Sequence, residues 1–194
     1  MEPRALIDFL RVMERLKDAP RHCWTTGGRR ESVAEHSWRV SLMAMLMADE
    51  FPGMDIDRVV RMCLVHDIGE AITGDIPTFV KTDADRAVEG REVEALIGGL
   101  PEPWPRYLGE LFDEMEALES PEAKLYKALD RMEAIQSHNE SDVETWLPLE
   151  YDLNLTYGEK EAAFSPYLAA LRAEMRRDTE AMIENARRRG VAPE

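Results

Sequence analysis

Asp55-Ile56-Asp57-Arg58-Val59-Val60-Arg61-Met62-Cys63-Leu64-Val65-His66-Asp67 is the stretch on which the reading of the fold turns. Ile56, Val59, Val60, Cys63 and Leu64 recur at helical spacing behind Asp55, a residue suited to capping a helix start. The segment therefore reads as an amphipathic helix. Its apolar end, Cys63-Leu64-Val65, runs straight into His66-Asp67, where no solvated face is expected. A buried charge needs a partner or a metal ion. Gly74 is placed to end this helix, and Ile76, preceding Pro77, is expected to be extended.

Outward from this stretch the 3.6-residue period continues. Upstream, Ser32-Val33-Ala34-Glu35 is a capping box. The helix it opens is expected to run to about Glu50, apolar on all sides after Arg39, as a central buried helix does, until Pro52-Gly53 breaks it. Before it, Leu6, Phe9, Leu10, Met13 and Leu16 form the stripe of a first helix. That helix stops at Asp18-Ala19-Pro20, ahead of a loop with Gly27-Gly28 and Arg29-Arg30. Downstream, a helix spans about 83 to 97 and closes at Gly98-Gly99. Another uses Tyr107, Leu108, Leu111, Phe112, Met115 and Leu118. Ser120-Pro121 starts a helix with Leu125, Leu129 and Met132 on its face, and Ser165-Pro166 starts a last one ending at Gly190. Strand signals are absent. The expectation is an all-α protein forming one domain over residues 1–194.

The 194 residues suffice for one buried core, and 44% hydrophobic with 32% charged residues is a globular composition. Charge-free runs such as Val40 to Ala48 and Ala162 to Leu171 are too short to cross a bilayer, and Met1-Glu2-Pro3-Arg4 does not read as a signal peptide. Cys23 and Cys63 are the two cysteines and form no CxxC pair, which points to a reducing, cytoplasmic setting without a disulfide framework. The net charge of −15 argues against nucleic acid or an anionic membrane as a partner. It leaves room for a small anion held by a metal ion and one or two arginines.

The chemistry-bearing residues are His36, His66-Asp67 and Asp130. Two imidazoles and two carboxylates suit a divalent ion of hard to borderline character. Taken alone, His36 on a buried helix is more often a satisfied core residue than a ligand, and Asp130 beside Leu129 is more often solvated. Glu70, four residues after His66 and three after Asp67, shares a helix side with both, and Asp75 follows the helix break. Three acids and a histidine this close repel one another when buried without a cation. Ligands from three helices are what a site in a helical core looks like. Other features read as ordinary structure. Met43, Met45 and Met47 fill the core, His22 and His138 lie at the surface, Lys81 is a solvated loop lysine, the acidic run 110–119 is the wet side of a helix, and Arg187 to Arg189 complement a helix dipole.

Arg30-Glu31-Ser32-Val33-Ala34-Glu35-His36-Ser37, Leu64-Val65-His66-Asp67-Ile68-Gly69-Glu70, Thr73-Gly74-Asp75-Ile76-Pro77-Thr78 and Lys127-Ala128-Leu129-Asp130 together resemble the HD-domain metal-dependent phosphohydrolases, in their 5′-deoxynucleotidase branch. The resemblance covers about residues 5–140. It implies a helical HD core of five to six helices; beyond it, the helix that Ser165-Pro166 starts makes a C-terminal helical extension, at about 155–190, which the resemblance does not reach. It implies one divalent ion (Mn, Co, Fe, Ni or Zn) held by His36, His66, Asp67 and Asp130, and it allows a second ion near Glu70 and Asp75. It further implies a homodimer and a deoxyribonucleoside 5′-monophosphate as substrate. Arg21 matches an arginine that orients the phosphate, and Glu70 and Asp75 match positions acting on water or substrate. Ile76, Pro77 and Thr78 belong to the same substrate-facing segment. Trp24 is expected against the nucleoside, although the order Arg21-His22-Cys23-Trp24 separates it from the arginine it adjoins in the bacterial members.

On this reading the ion activates water and screens phosphate charge. Glu70 takes the proton, and Arg21 grips the phosphate with its planar fork. The alternatives are a phosphohydrolase acting on another phosphoester and a non-catalytic metal or nucleotide sensor. A Gly-Tyr-Pro segment typical of cyclic-dinucleotide phosphodiesterases is not matched by Tyr157-Gly158-Glu159.

Overall fold

The computed structural model describes residues 1–191. Helix α1 (Pro3–Met13) passes into a 3-10 turn, Glu14–Lys17, and a hairpin follows. Its strands β1 (Pro20–Trp24) and β2 (Arg30–Ser32) pair antiparallel, with Pro20 opposite Ser32 and Trp24 opposite Arg30. The remaining α-helices are α2 (Val33–Leu46), α3 (Ile56–Val65), α4 (Glu70–Thr73), α5 (Asp83–Gly98), α6 (Trp104–Ala117), α7 (Pro121–Glu140), α8 (Glu150–Thr156), α9 (Glu159–Ala162) and α10 (Pro166–Arg189). The all-α expectation holds, with this hairpin as its local exception. No helix among the described residues is long and apolar enough to cross a membrane.

Local chemistry sets the helix starts. Ser32 accepts from the Glu35 amide while the Glu35 carboxylate accepts from the Ser32 amide, satisfying two of the amides that a helix start leaves orphaned. Thr82 and Asp85 form the same box at α5, and Ser120 and Ser165 cap α7 and α10 ahead of a proline.

Helix α7 is the central one. Leu125, Ala128, Leu129, Met132 and Ile135 are buried on it, and α2, α3, α6, α10 and β1 all pack around it. This corrects the expectation that α2 is buried on all sides. Val40 and Ala44 are sealed in the core, but Trp38, Met45 and Leu46 are 62%, 55% and 73% exposed. An apolar composition does not by itself say that every face finds a partner. A second cluster, with Leu16, Val33, Ile68, Val93, Ile97 and Leu108, joins α1, α5 and α6 to the segment between α3 and α4. A third, built by Val143, Trp146, Tyr151, Ile183 and Ala186, ties α8 to the end of α10.

Two further differences bear on the site. The expected helix 56–74 breaks at His66. The amide of Ile68 reaches the Val65 carbonyl (3.1 Å) and that of Glu70 the Asp67 carbonyl (3.0 Å), a three-residue spacing that winds the chain tighter than an α-helix. Gly69 lets this turn press on α5, because a Cβ there would lie 2.7 Å from Val93 Cγ2 and 3.0 Å from Glu89 Cγ. The α-helical turn then ends at Gly74, whose φ of 74° suits glycine. The hairpin, in turn, escapes the period-2 test because its partly buried residues Arg21 and His22 face a polar cavity instead of an apolar core.

Candidate metal centre

His36 comes from the first turn of α2, His66 caps the end of α3, Asp67 follows it in the tight turn, and Asp130 lies midway along α7. Tertiary packing converges them on one point. The two Nε2 atoms are 3.2 Å apart. Asp67 Oδ2 is 3.0 Å from His66 Nε2 and 3.8 Å from His36 Nε2, and Asp130 Oδ1 is 3.3 Å from His36 Nε2 and 3.6 Å from His66 Nε2. Ligand atoms about 2.1 Å from a common ion stand about 3.0–3.4 Å from one another in octahedral or tetrahedral arrangements; His36, His66 and Asp67 bring donor atoms within 4.8 Å of one another and suit a divalent ion, with Asp130 Oδ1 beside the two imidazoles to complete the set.

Hydrogen bonding decides which nitrogen faces this point. His66 Nδ1 lies 2.8 Å from the Cys63 carbonyl oxygen, which can only accept, so Nδ1 carries the proton and Nε2 presents a lone pair. His36 Nδ1 likewise donates to Glu133 Oε2. The two imidazole Nε2 atoms and two carboxylate oxygens thus point at one another, an arrangement that a positive charge, proton or metal ion, resolves. Burial works against an imidazolium at His36 and at His66, yet the carboxylates outweigh it and raise both pKa values. Burial alone would raise the Asp67 carboxyl, but His66 holds it down at about 2. Asp130 is also held low, Lys127 and both imidazoles opposing its burial. This negative field attracts a metal ion for the same reason that it attracts a proton.

Glu133, which the sequence reading passed over, supports the cage from behind. It is fully buried and accepts from Arg39 Nε (2.6 Å), Ser137 Oγ (2.9 Å) and Arg21 Nη1 (3.2 Å) as well as from His36. Glu31 joins it through Arg21, at 2.7 Å. Glu31, Glu133 and His36 Nδ1 form a second tight donor group, but two guanidinium groups already neutralise it. The signal for Glu133 was its place three residues after Asp130, on the same side of α7.

A cavity of about 350 Å³ opens in front of the cage. Asp67 and Asp130 line its head, with Arg21, Glu70, Asp75, Ile76, Pro77 and Thr78 along its walls. Glu70 is 5% exposed, and its Oε2 is buried without a hydrogen-bond partner. Burial, then Asp67, Asp75 and Glu89, push its carboxyl up to about 10 against the pull of Lys81. A cation held in the cage would offset the charges of Asp67 and Asp75 and favour the ionised form of Glu70. Asp75 is raised too, chiefly by burial.

Four sequence expectations change here. Trp24 does not line this cavity. Arg30 lies 5.2 Å above its ring, and the indole borders a separate hollow with Glu140, Asp142 and Arg189. Arg21, His22 and Cys23 in β1 border the cavity, and the strand has left it by Trp24. Lys81 is no solvated loop residue, since its side chain is 15% exposed, bonded to Glu89 and 3.9 Å from Glu70. Nor are His22 and His138 at the surface. Both line the cavity, with Nε2 atoms 3.1 and 3.4 Å from the buried Glu150 carboxylate. Phe79, Tyr157, Leu153 and Ile135 make the apolar part of that far wall, and part of it comes from α8, which no sequence pattern announced.

Comparison with known proteins agrees with this geometry. The family model described as HD domain matches residues 13–172. The human protein named 5′-deoxynucleotidase HDDC2 is 37% identical over 141 residues, 71% of this chain and 68% of that protein. The Schizosaccharomyces pombe protein named 5′-deoxynucleotidase hdd1 is 32% identical over 140 residues, 68% of this chain and 69% of that one. Among solved structures, a predicted metal-dependent phosphohydrolase from Magnetospirillum magnetotacticum superposes with a TM-score of 0.76 at 32% identity, over 98% of this chain and 95% of that one. With two histidines and two aspartates gathered from three helices and a family model spanning most of its length, the chain belongs to the HD-domain family.

Proposed function

We propose that this protein removes the 5′-phosphate from deoxyribonucleoside 5′-monophosphates with the help of one divalent ion. The observation that carries the reading is the convergence of His36 Nε2, His66 Nε2, Asp67 Oδ2 and Asp130 Oδ1 at the head of a cavity whose walls include Arg21, Lys81 and the buried Glu70, with its Oε2 free of any hydrogen bond. The relatives named as 5′-deoxynucleotidases support the choice of substrate. When bound, a divalent ion polarises a phosphoryl oxygen and lowers the pKa of water.

The chain's own residues supply the rest. Arg21 has one nitrogen anchored on Glu31 and Glu133, so its guanidinium is held in place for the phosphate. Lys81 adds a second positive charge beside Glu70. Glu70 accepts the proton from the attacking water. Asp75 accepts a hydrogen bond from a sugar hydroxyl, with Ile76, Pro77 and Thr78 shaping the wall beside it. Phe79 and Tyr157 offer the apolar surface for the base that Trp24 was expected to provide. The ion is one of Mn, Co, Fe, Ni or Zn, and a second has room near Glu70 and Asp75. The whole chain acts as one HD unit, core and C-terminal extension together, in the cytoplasm. It pairs as a homodimer through the exposed stripe Trp38, Met45 and Leu46 of α2.

The test is phosphate release from deoxyribo- and ribonucleoside 5′-monophosphates with each ion in turn, beside Asp67→Ala. Metal-dependent release from the deoxy series, lost in Asp67→Ala, is the expected result. A protein that binds metal yet releases no phosphate from any nucleotide sinks the reading.

A further inference from the structure

Asp130 shows its two carboxylate oxygens to different neighbours. Oδ1 faces the cage, 3.3 Å from His36 Nε2 and 3.6 Å from His66 Nε2, while Oδ2 accepts a hydrogen bond from Lys127 Nζ at 2.7 Å. Lys127 stands three residues earlier on α7, so both side chains emerge on one side of the helix. Its Nζ also lies 5.4 Å from the centre of the Tyr126 ring, and that ring packs edge-on against His66 at 5.5 Å. One ammonium group therefore braces one cage residue directly and a second through an aromatic ring. The Lys127 side chain is 30% exposed, and it borders both the cavity in front of the cage and the groove between α5 and α6 behind it.

Electrostatics makes this lysine an odd choice for binding a metal ion. Two positive charges this close repel, and the hydrogen bond draws electron density from the carboxylate the ion needs. A site built for affinity alone would leave Asp130 free to close on the ion with both oxygens, as carboxylates do at flexible sites.

We propose that Lys127 is a positioning residue that restricts Asp130 to a single ligating oxygen, lowering metal affinity to keep a coordination position open for substrate or water. An open position is what separates a catalytic metal site from a closed structural one. The turnover part of this inference rests on the phosphohydrolase reading. The metal-binding part rests on the geometry alone.

The experiment measures Mn²⁺ affinity by competition with a chromophoric chelator, together with deoxynucleotide turnover at saturating Mn²⁺ and melting temperature. The variants are Lys127→Met and Lys127→Arg. Lys127→Met is expected to bind Mn²⁺ about tenfold more tightly, the low end of what one charge does to another about 4–6 Å away. Its turnover is expected to fall about 10–100-fold, as when a residue orienting a metal ligand is lost. Lys127→Arg, which can still donate to Oδ2, restores both toward wild type. Loss of structure would instead weaken metal binding and lower the melting temperature together. Unchanged or weaker Mn²⁺ binding by Lys127→Met overturns the proposal, and so does tighter binding with undiminished turnover. If the wild-type protein itself releases no phosphate from any nucleotide, the phosphohydrolase reading fails. Tighter Mn²⁺ binding by Lys127→Met then still supports the restricted carboxylate.

Discussion

Replacing Glu133 by Gln separates the two tasks of the buried carboxylate behind the cage. Four donors meet its two oxygens, His36 Nδ1 and Arg21 at Oε2, Arg39 and Ser137 at Oε1. An amide has one acceptor oxygen, so two of the four donors must face its NH₂ group. If His36 is one of them, its ring proton moves to Nε2 and the lone pair that the cage needs is gone. If it is not, His36 keeps only a neutral partner. Either way metal binding weakens, by about 10–100-fold, or roughly 1.4–2.7 kcal/mol. Stability falls as well. Breaking a buried ion pair costs about 3–5 kcal/mol, and the low end applies because the Arg21 and Arg39 side chains, 13% and 25% exposed, can recover some water. About 3 kcal/mol corresponds to roughly 6–12 °C in Tm for a domain of this size. Calorimetric titration with Mn²⁺ and thermal unfolding of the metal-free protein read the two effects separately. Metal affinity within twofold of wild type, alongside the expected drop in Tm, would refute the argument that Glu133 sets the tautomer of His36.

Glu70→Gln should lower kcat by about 10²–10⁴ while leaving Mn²⁺ affinity within about threefold, because Glu70 faces the cavity outside the donor set. A loss of less than tenfold removes it as the proton acceptor. Gly69→Ala should cost about 1–3 kcal/mol by overpacking, since the new methyl meets Val93 and Glu89 on α5. It should also raise KM by disturbing the Glu89–Lys81 pair, and an unchanged urea midpoint would contradict this. Burial lowers the pKa of His138 from 6.5 to about 4. The unfolded chain therefore binds the extra proton between those values, and this share of stability is complete above pH 6.5, falls with pH, and is gone below about 4. The shift corresponds to about 3 kcal/mol, so His138→Gln should flatten the pH dependence of the urea midpoint across that window. An equally steep profile in the variant would place the titration elsewhere.

How much of this was legible in the sequence follows from how local each determinant is. Capping residues announce helix starts because a hydroxyl or carboxylate three residues from an orphaned amide is a local event. Ser32, Thr82, Ser120 and Ser165 all act that way in the structure, although Thr82 itself was not singled out beforehand. His66 and Asp67 were legible because buried charge is conspicuous at the end of an apolar helix, whereas His36 and Asp130, each unremarkable alone, were joined to them through the resemblance to HD-domain motifs. Glu133 has the same character, yet it hid among the other acids of α7. Nothing in its neighbourhood along the chain reveals that Arg21 and Arg39 arrive from β1 and α2 to pair with it.

The amino-acid sequence by itself therefore determined the helical class, most helix starts and the four side chains that the structure gathers at the head of the cavity. Periodicity, caps and misplaced charges are written within a few residues of one another. Tertiary structure alone decided which helix lies at the centre, which side of α2 stays bare, and that Trp24 turns away while His22, Lys81 and His138 turn in. It also set the surroundings of each carboxylate, Asp130 split between cage and Lys127, Glu133 behind His36, Glu70 with its Oε2 free of any hydrogen bond. The contacts that gather the cage and its support, such as His36 with His66 and Arg21 with Glu133, join residues 30 and 112 positions apart along the chain. Such contacts are set by how whole helices pack, which no local pattern encodes.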